Sequence, residues 1–356
     1  MPCCSPGCRR EGWIMDTMST PPNAVTLRFL ASPTDLGHSG SVDAGTVLEW
    51  VDKAAYAAAV GWAKTYCVTA YVGNIHFADP VVVGDLVEVE ATIVHTGTSS
   101  MHIRTVVSSG PVSGEGGGRR SECLVVFVAV GPDGAPVPVP AFEPRTAAER
   151  RESEHAEARI GVRREIVEEM RRQEYTAAGT AERTVLRFLA APTDVNWGGK
   201  VHGGTVMDWI DEAAYVCSAR HCGLDTVAVF SGGVRFLKPL HIGDVVEVEA
   251  RLVYTGNKGM HVAVHVRSGS PRSREMDLTT TCLTVMVARD AEGSAVPVPP
   301  WVPRSEEDRR LHQHALDLLH IRSRAPGSVL PTHLRAHPSG VAEGLGDGVG
   351  LAAPLP

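Results

Sequence analysis

No stretch of this 356-residue chain approaches the ~20 consecutive apolar residues that a membrane-crossing helix requires. An excess of basic residues is missing too. There are 34 Lys and Arg against 41 Asp and Glu, a net charge of −7, which leaves no electrostatic footprint for nucleic acid. The first twenty residues, MPCCSPGCRREGWIMDTMST, lack the apolar core of ~7–15 residues that a signal peptide carries. No phosphate-binding GxxxxGK[ST] loop occurs. Cys3, Cys4 and Cys8 crowd the N-terminus, but no second cluster with ligand spacing follows, so neither a metal nor another cofactor is expected. Cys67, Cys123, Cys217, Cys222 and Cys282 are scattered in apolar contexts, which fits reduced, cytoplasmic usage better than a disulfide framework. Residues 1–24 are expected to form a disordered leader, with a start at Met15 or Met18. Residues 323–356, rich in Gly, Pro and Ala without periodicity, are expected to form a disordered tail.

What the chain does have is a long internal repeat. TLRFLASPTD at 26–35 returns as VLRFLAAPTD at 185–194, an offset of 159 residues. The same offset aligns FADPVVVGDLVEVEA (77–91) with FLKPLHIGDVVEVEA (236–250), and TGTSSMH (96–102) with TGNKGMH (255–261). It still holds at PVPVPAFEPR (136–145) against AVPVPPWVPR (295–304). A period this long is a duplicated domain and not a solenoid unit. The boundaries read as a first domain at 25–160, a helical linker at 161–183 and a second domain at 184–322.

Each copy repeats one order of elements. A short strand leads through Pro-Thr-Asp to a glycine-rich loop, and the loop opens a helix, roughly 45–63 in the first copy and 204–220 in the second. In the second helix Val206, Met207, Trp209, Ile210, Ala213, Ala214, Val216 and Cys217 cover most of the circumference, so it should be buried on nearly all sides. Trp50 and Trp209 read as core. Alternating, β-branched strands follow (TAYVGNIHF, DLVEVEATIVHTG, SMHIRTVV, CLVVFVAV), as in an antiparallel sheet with one buried face. A charged helix closes each copy. The class is α+β, with a sheet curled around a central helix.

The polar residues are not repeated evenly. LGHSGSVDAGTVLEWVDKAAY (36–56) and VNWGGKVHGGTVMDWIDEAAY (195–215) share ten of 21 positions, yet Asn196 faces Gly37, and His202-Gly203 faces Asp43-Ala44. The second version carries Asn, five residues, His-Gly-Gly, six residues, Asp (Asn196, His202, Gly203, Gly204, Asp211). With the entry Phe236, Pro239, Gly243, Asp244 and the stretch Gly256, Met260, Val262, it resembles the tandem hotdog acyl-CoA thioesterases of the cytosolic acyl-CoA hydrolase group over about 25–320. The resemblance implies tandem hotdog folds, each a long helix wrapped by an antiparallel sheet.

The spacing suits thioester hydrolysis. Gly203 and Gly204 stand where a helix begins, so their N–H groups lack internal partners and sit at the positive end of the dipole. Glycine also lets a carbonyl approach closely. The Asn196 amide can donate to the same oxygen or hold water. A carboxylate two turns into a buried helix should have a raised pKa, which suits a general base. His202 either contacts ligand or water, or only locks the loop. Glu49 and Asp208, three residues before each key Asp, are expected on another face, solvated or salt-bridged.

In the family the site forms between two units, one supplying the Asn and the His-Gly-Gly helix start, the other the Asp. That carry-over pairs Asn196, His202 and Gly203 with Asp52. The reciprocal set, Gly37, Asp43 and Ala44 with Asp211, lacks amide and imidazole, so Asp211 marks a relic site or a structural carboxylate. A site within one copy would instead join Asn196 and His202 to Asp211. Gly204, Lys258, Arg235 and Lys238 are candidates for substrate contact, the basic ones toward the phosphates of an acyl-CoA. The resemblance further implies a cytoplasmic homo-oligomer, a trimer of fused pairs. The rivals are a non-catalytic acyl-CoA-binding regulator, for which no basic helix-turn-helix is present, and a hotdog enoyl-CoA hydratase, whose Asp and His pattern is absent.

Overall fold

The structure, a computed structural model, describes residues 23–37, 40–77, 80–113 and 119–324. Apart from a residue or two at their inner ends, the leader and tail expectations fall outside these. The first half runs β1 (Ala24–Leu30), α1 (Ala44–Ala63), β2 (Cys67–Val72), β3 (Ile75–His76), β4 (Asp85–Thr96), β5 (Ser100–Pro111), β6 (Arg119–Ala129) and α2 (Ala147–Arg171). The second runs β7 (Arg183–Leu189), α3 (Gly203–Cys222), β8 (Thr226–Phe236), β9 (Val245–Thr255), β10 (Gly259–Gly269), β11 (Asp277–Arg289), β12 (Ala295–Val296) and α4 (Glu306–Ser323). The strands form one antiparallel sheet in the order β1-β4-β5-β6-β2-β8-β11-β10-β9-β7, with β12 beside β11 and β3 beside β8.

The two halves meet at the β2–β8 seam, which is paired only at Tyr71↔Arg235 and Val72↔Val234. Beyond these positions the strands part. A β-bulge at Ala70 interrupts the β2–β6 register just there, between Thr69↔Phe127 and Tyr71↔Val126, and bulges bend a strand away from its neighbour. α1 and α3 lie together on the concave side. Val47, Val51, Ala54, Ala55, Ala58 and Ala59 of α1, and Met207, Ile210, Ala213, Ala214 and Cys217 of α3, are buried in one core with the inner residues of the strands. Trp50 and Trp209 are core, as read from sequence, against Phe29 and Phe188 respectively.

The helices approach through glycine. A Cβ on Gly45 would stand 2.5 Å from the Asp208 Cα, and one on Gly204 would stand 2.7 Å from the Glu49 Cα. This reciprocity follows from the 159-residue offset, which equates Gly45 with Gly204 and Glu49 with Asp208. It also corrects the expectation for the acidic pair. Glu49 is salt-bridged to Lys53 at 2.6 Å, as expected, but Asp208 is half-buried at the crossing with no ion pair among the described residues.

The linker is only partly helical. α2 ends at Arg171, and residues 172–182 have no helix or strand, in contrast to the helical linker expected over 161–183. The reason lies in the start of α4. Thr176 binds Glu307 through both its N–H and its hydroxyl, and Thr180 binds Asp308 the same way, at 2.9 and 2.6 Å. Those bonds hold the segment extended. No described helix is long and apolar enough to cross a membrane.

Because backbone would meet backbone at the crossing, Gly45→Val should lower Tm by at least about 5 °C, the effect of overpacking by about 3 kcal/mol. Gly61→Ala, on the same helix with nothing within 4 Å of the added methyl, should leave Tm unchanged or raise it. Thermal unfolding followed by circular dichroism checks both.

Candidate active site

α3 begins against the flank of α1, so the loop before α3 and the side chain of Asp52 share one space. Asp52 is 2 % exposed. Its Oδ1 accepts the Thr69 hydroxyl at 2.7 Å, and its Oδ2 lies 3.4 Å from His202 Nδ1. A Cβ on Gly203 would fall 3.2 Å from Asp52 Oδ2 and 3.1 Å from Thr69 Oγ1, so any side chain there would press on both groups. Burial pushes the Asp52 carboxyl above its ordinary value, opposed by His202, the Thr69 hydroxyl and the Gly204 amide.

The loop is ordered by Asn196. Its Oδ1 accepts from Gly198 N–H at 2.8 Å, Lys200 N–H at 3.1 Å and the Tyr66 hydroxyl at 3.3 Å, while Nδ2 donates to the Val201 carbonyl at 3.4 Å. The second Nδ2 hydrogen has no acceptor among the described residues. His202 is the N-cap of α3: its Nδ1 accepts the Gly204 N–H at 3.0 Å. It thus locks the helix start while touching Asp52. The Gly203 N–H has no acceptor among the described residues, as befits the first residue of a helix.

These groups open on a cavity of about 410 Å3. Its apolar wall includes Tyr56, Val68, Phe127, Val130, Val206 and Leu240, and Lys200 and Lys238 also line it. The exposed Trp197 stacks on Tyr56 with centroids 4.4 Å apart and closes one side. Of the basic candidates, Lys238 lines the cavity but pairs with Asp277 at 2.7 Å. Arg235 lines a different cavity, under α2. Lys258 lies outside both, donating to the Ala295 carbonyl at 2.6 Å.

The reciprocal position is built differently. Asp211 Oδ2 accepts the Gly45 N–H at 3.3 Å, beside a cavity of only about 60 Å3. Burial, then Asp43, push its carboxyl up to about 7, with Asp208 and Glu212 adding to this. Asp208 is pushed to about 6 by burial and by Glu212, Asp43 and Glu49. The offset puts Ala228 where Thr69 stands and Asp225 where Tyr66 stands. Sequence reading passed over Thr69 and Tyr66, although the same asymmetry that marked Asn196 marks them.

A model of the Thioesterase superfamily matches the chain twice, at residues 40–112 and 198–274. Protein VdlD of Helicobacter pylori (strain ATCC 700392 / 26695) is 34% identical over 147 residues, 41% of this chain and 84% of that protein. The chain belongs to the thioesterase superfamily. Its two matches coincide with the two helix-and-sheet units, so the α+β architecture is a tandem hotdog, as expected from sequence. Across both units the chain is also similar to the cytosolic acyl coenzyme A thioester hydrolase of Mus musculus, at 24% identity over 309 residues, 81% of this chain and 80% of that one. A solved apo-hexameric acyl-CoA thioesterase is 33% identical, with a TM-score of 0.40, covering 41% of this chain and 94% of that one.

The raised carboxyl at the reciprocal position gives a pH test. Asp211 holds its proton in the folded state up to about 7 and in the unfolded chain only to about 4. Its favourable contribution is therefore complete below about pH 4 and is lost as pH rises to about 7. Asp211→Asn, which keeps an acceptor for Gly45, should show a Tm advantage over wild type that grows from about pH 4 and levels off above about pH 7, reaching about 3 °C. Melting curves across pH 4–9 measure it.

Proposed function

We propose that this thioesterase hydrolyses acyl-CoA to a free fatty acid and CoA at one site shared between its halves. The observation that carries the reading is the meeting of the buried Asp52 carboxyl from α1 with the Gly203-Gly204 start of α3 and His202, 3.4 Å away. The thioester carbonyl oxygen would take the Gly203 N–H and the free Asn196 amide hydrogen. Each donor placed on the developing oxyanion is typically worth about 3–4 kcal/mol of barrier. Asp52, held by Thr69 on one oxygen, takes the proton of the attacking water on the other. Its raised pKa makes it a better base than an exposed carboxylate. Collapse of the tetrahedral adduct expels the CoA thiolate, and Asp52 returns the proton. The acyl chain lies along the Val68, Phe127 and Leu240 wall.

The complete set of groups favours hydrolysis over a non-catalytic binding module. A cytoplasmic location, a role in lipid metabolism and assembly into a trimer of fused pairs belong to the same proposal. They are supported by the resemblance and by the cytosolic name of the Mus musculus relative.

Thiol release from acyl-CoAs of graded chain length tests the reading. Asp52→Ala and Asp52→Asn should each lower kcat by about 10²–10⁴, and Asp211→Ala should leave it within a few-fold. Loss with Asp211→Ala alone would move the base into the second copy and overturn the shared site. Sedimentation velocity should show a particle of three chains.

A further inference from the structure

Beneath α2, on the opposite face of the sheet from Asp52, lies a cavity of about 630 Å3 that the reaction above does not use. Four arginines line it: Arg163, Arg164 and Arg171 from α2, and Arg235 from β8. None of the four forms an ion pair among the described residues. Several arginines of the strands are neutralised: Arg104 by Glu122 and Glu152, Arg183 and Arg251 by Glu249, and Arg187 by Glu247. One carboxylate lines the cavity, Glu168, which faces Arg172 at 3.8 Å. His102 also lines it, 3 % exposed, with no hydrogen-bond partner for Nδ1 among the described residues. Burial and neighbouring charge hold both Arg163 and Arg235 below their ordinary values, through Arg164 and Arg171 respectively. The charge is like-signed, partly desolvated and unmatched.

The other half shows that the feature is local. The offset equates Arg163 with Arg322 and Tyr71 with Phe230. Arg163 lies 5.2 Å from the Tyr71 ring and Arg322 lies 5.5 Å from that of Phe230. Arg322, however, is buried, donating to the Gly232 carbonyl at 3.4 Å, while Ser323 replaces Arg164 and His76 replaces Arg235. Only the first half turns these positions into an open basic pocket.

The two cavities adjoin. Ala70, the bulged residue at the seam, lines both. On that side of Tyr71↔Arg235, β2 and β8 form no further pair. We infer that the Arg163, Arg164, Arg171 and Arg235 pocket binds the phosphates of the nucleotide end of the substrate, reached past Ala70 at the β2–β8 seam. This rests on the acyl-CoA reading. It makes the connecting helix α2 a substrate-recognition element, present once per chain.

The test compares an acyl-CoA with the acyl-pantetheine that lacks the nucleotide, in full-length wild type and in Arg164→Ala/Arg171→Ala and Arg163→Ala/Arg171→Ala. The first pair lies on the exposed face of α2, where alanine keeps the helix. The ratio of kcat/KM for acyl-CoA over acyl-pantetheine should fall about tenfold in each double variant. ADP should raise KM for acyl-CoA in wild type without changing kcat. A ratio within twofold of wild type in both variants would overturn the inference. So would inhibition by ADP that lowers kcat at constant KM, which would place a free nucleotide elsewhere. Calorimetry with CoA alone separates this from the hydrolase reading. CoA affinity about tenfold weaker in the variants supports the pocket even if wild type hydrolyses neither thioester, and unchanged CoA affinity overturns it.

Discussion

The crossing of α1 and α3 is the constraint on which the proposed chemistry of this chain depends. Gly45 and Gly204 let each helix start pack against the backbone of the other helix, 2.5 and 2.7 Å from where a Cβ would stand. The partner's carboxylate, about two turns into its helix, then lies beside that helix start. Asp52 meets the amides of α3, and Asp211 meets the amide of Gly45 in α1. A helix start supplies unpaired N–H groups and the positive end of a dipole. A buried carboxylate supplies a proton acceptor. Neither copy can bring the two together alone, because a helix cannot fold back on its own N-terminus. On the proposed reading, the fused pair is the smallest unit that holds a site.

One crossing yields two positions of equal backbone geometry, and side chains separate them. Around Asp52 stand Thr69, His202 and the Gly204 amide, each of which favours its charged form. Around Asp211 stand Asp43, Asp208 and Glu212, each of which disfavours it. The first position keeps a cavity of about 410 Å3 and the second about 60 Å3. The residues at 44 and 228 go together physically. With Ala228 in place of threonine no hydroxyl crowds the start of α1, so Ala44 has room for a methyl where one on Gly203 would press on Thr69. Asp43 then adds charge where a carbonyl oxygen would need donors.

The duplication, the buried helices and the shared polar set were legible because they are local in sequence or repeat at a fixed offset. Asn196, His202 and Gly203 sit within eight residues, and Asp52 was found by alignment with Asp211. Thr69 and Tyr66 were passed over because their partners lie 17 and 130 residues away, although the offset sets them against Ala228 and Asp225. Basic residues were the poorest guide. Lys258 sits in a turn beside repeated motifs but spends its ammonium on the Ala295 carbonyl. Arg163 and Arg171, in a helix rich in both charges, carry no motif. Only packing shows that these arginines, with one α2 carboxylate, Glu168, line a cavity under the helix. The non-helical end of the linker was illegible for the same reason, since Thr176 and Thr180 are claimed by acids 131 and 128 residues on.

Duplication has a consequence that a symmetric pair of identical chains lacks. In such a pair any residue that improves one site enters the other as well, and the connection between units does not exist. Here the two positions are free to diverge, and α2 lies over the seam next to the Asp52 cavity. The opposite copy's equivalent helix, α4, took the alternative course. Its Arg322 sank into the sheet, and Glu307 and Asp308 became anchors for the linker. Both closing helices carry a guanidinium with no ion pair among the described residues, but only that of α2 lines an open cavity. An unmatched, partly buried guanidinium costs stability in the empty protein. That cost is reduced only when an anion occupies the pocket.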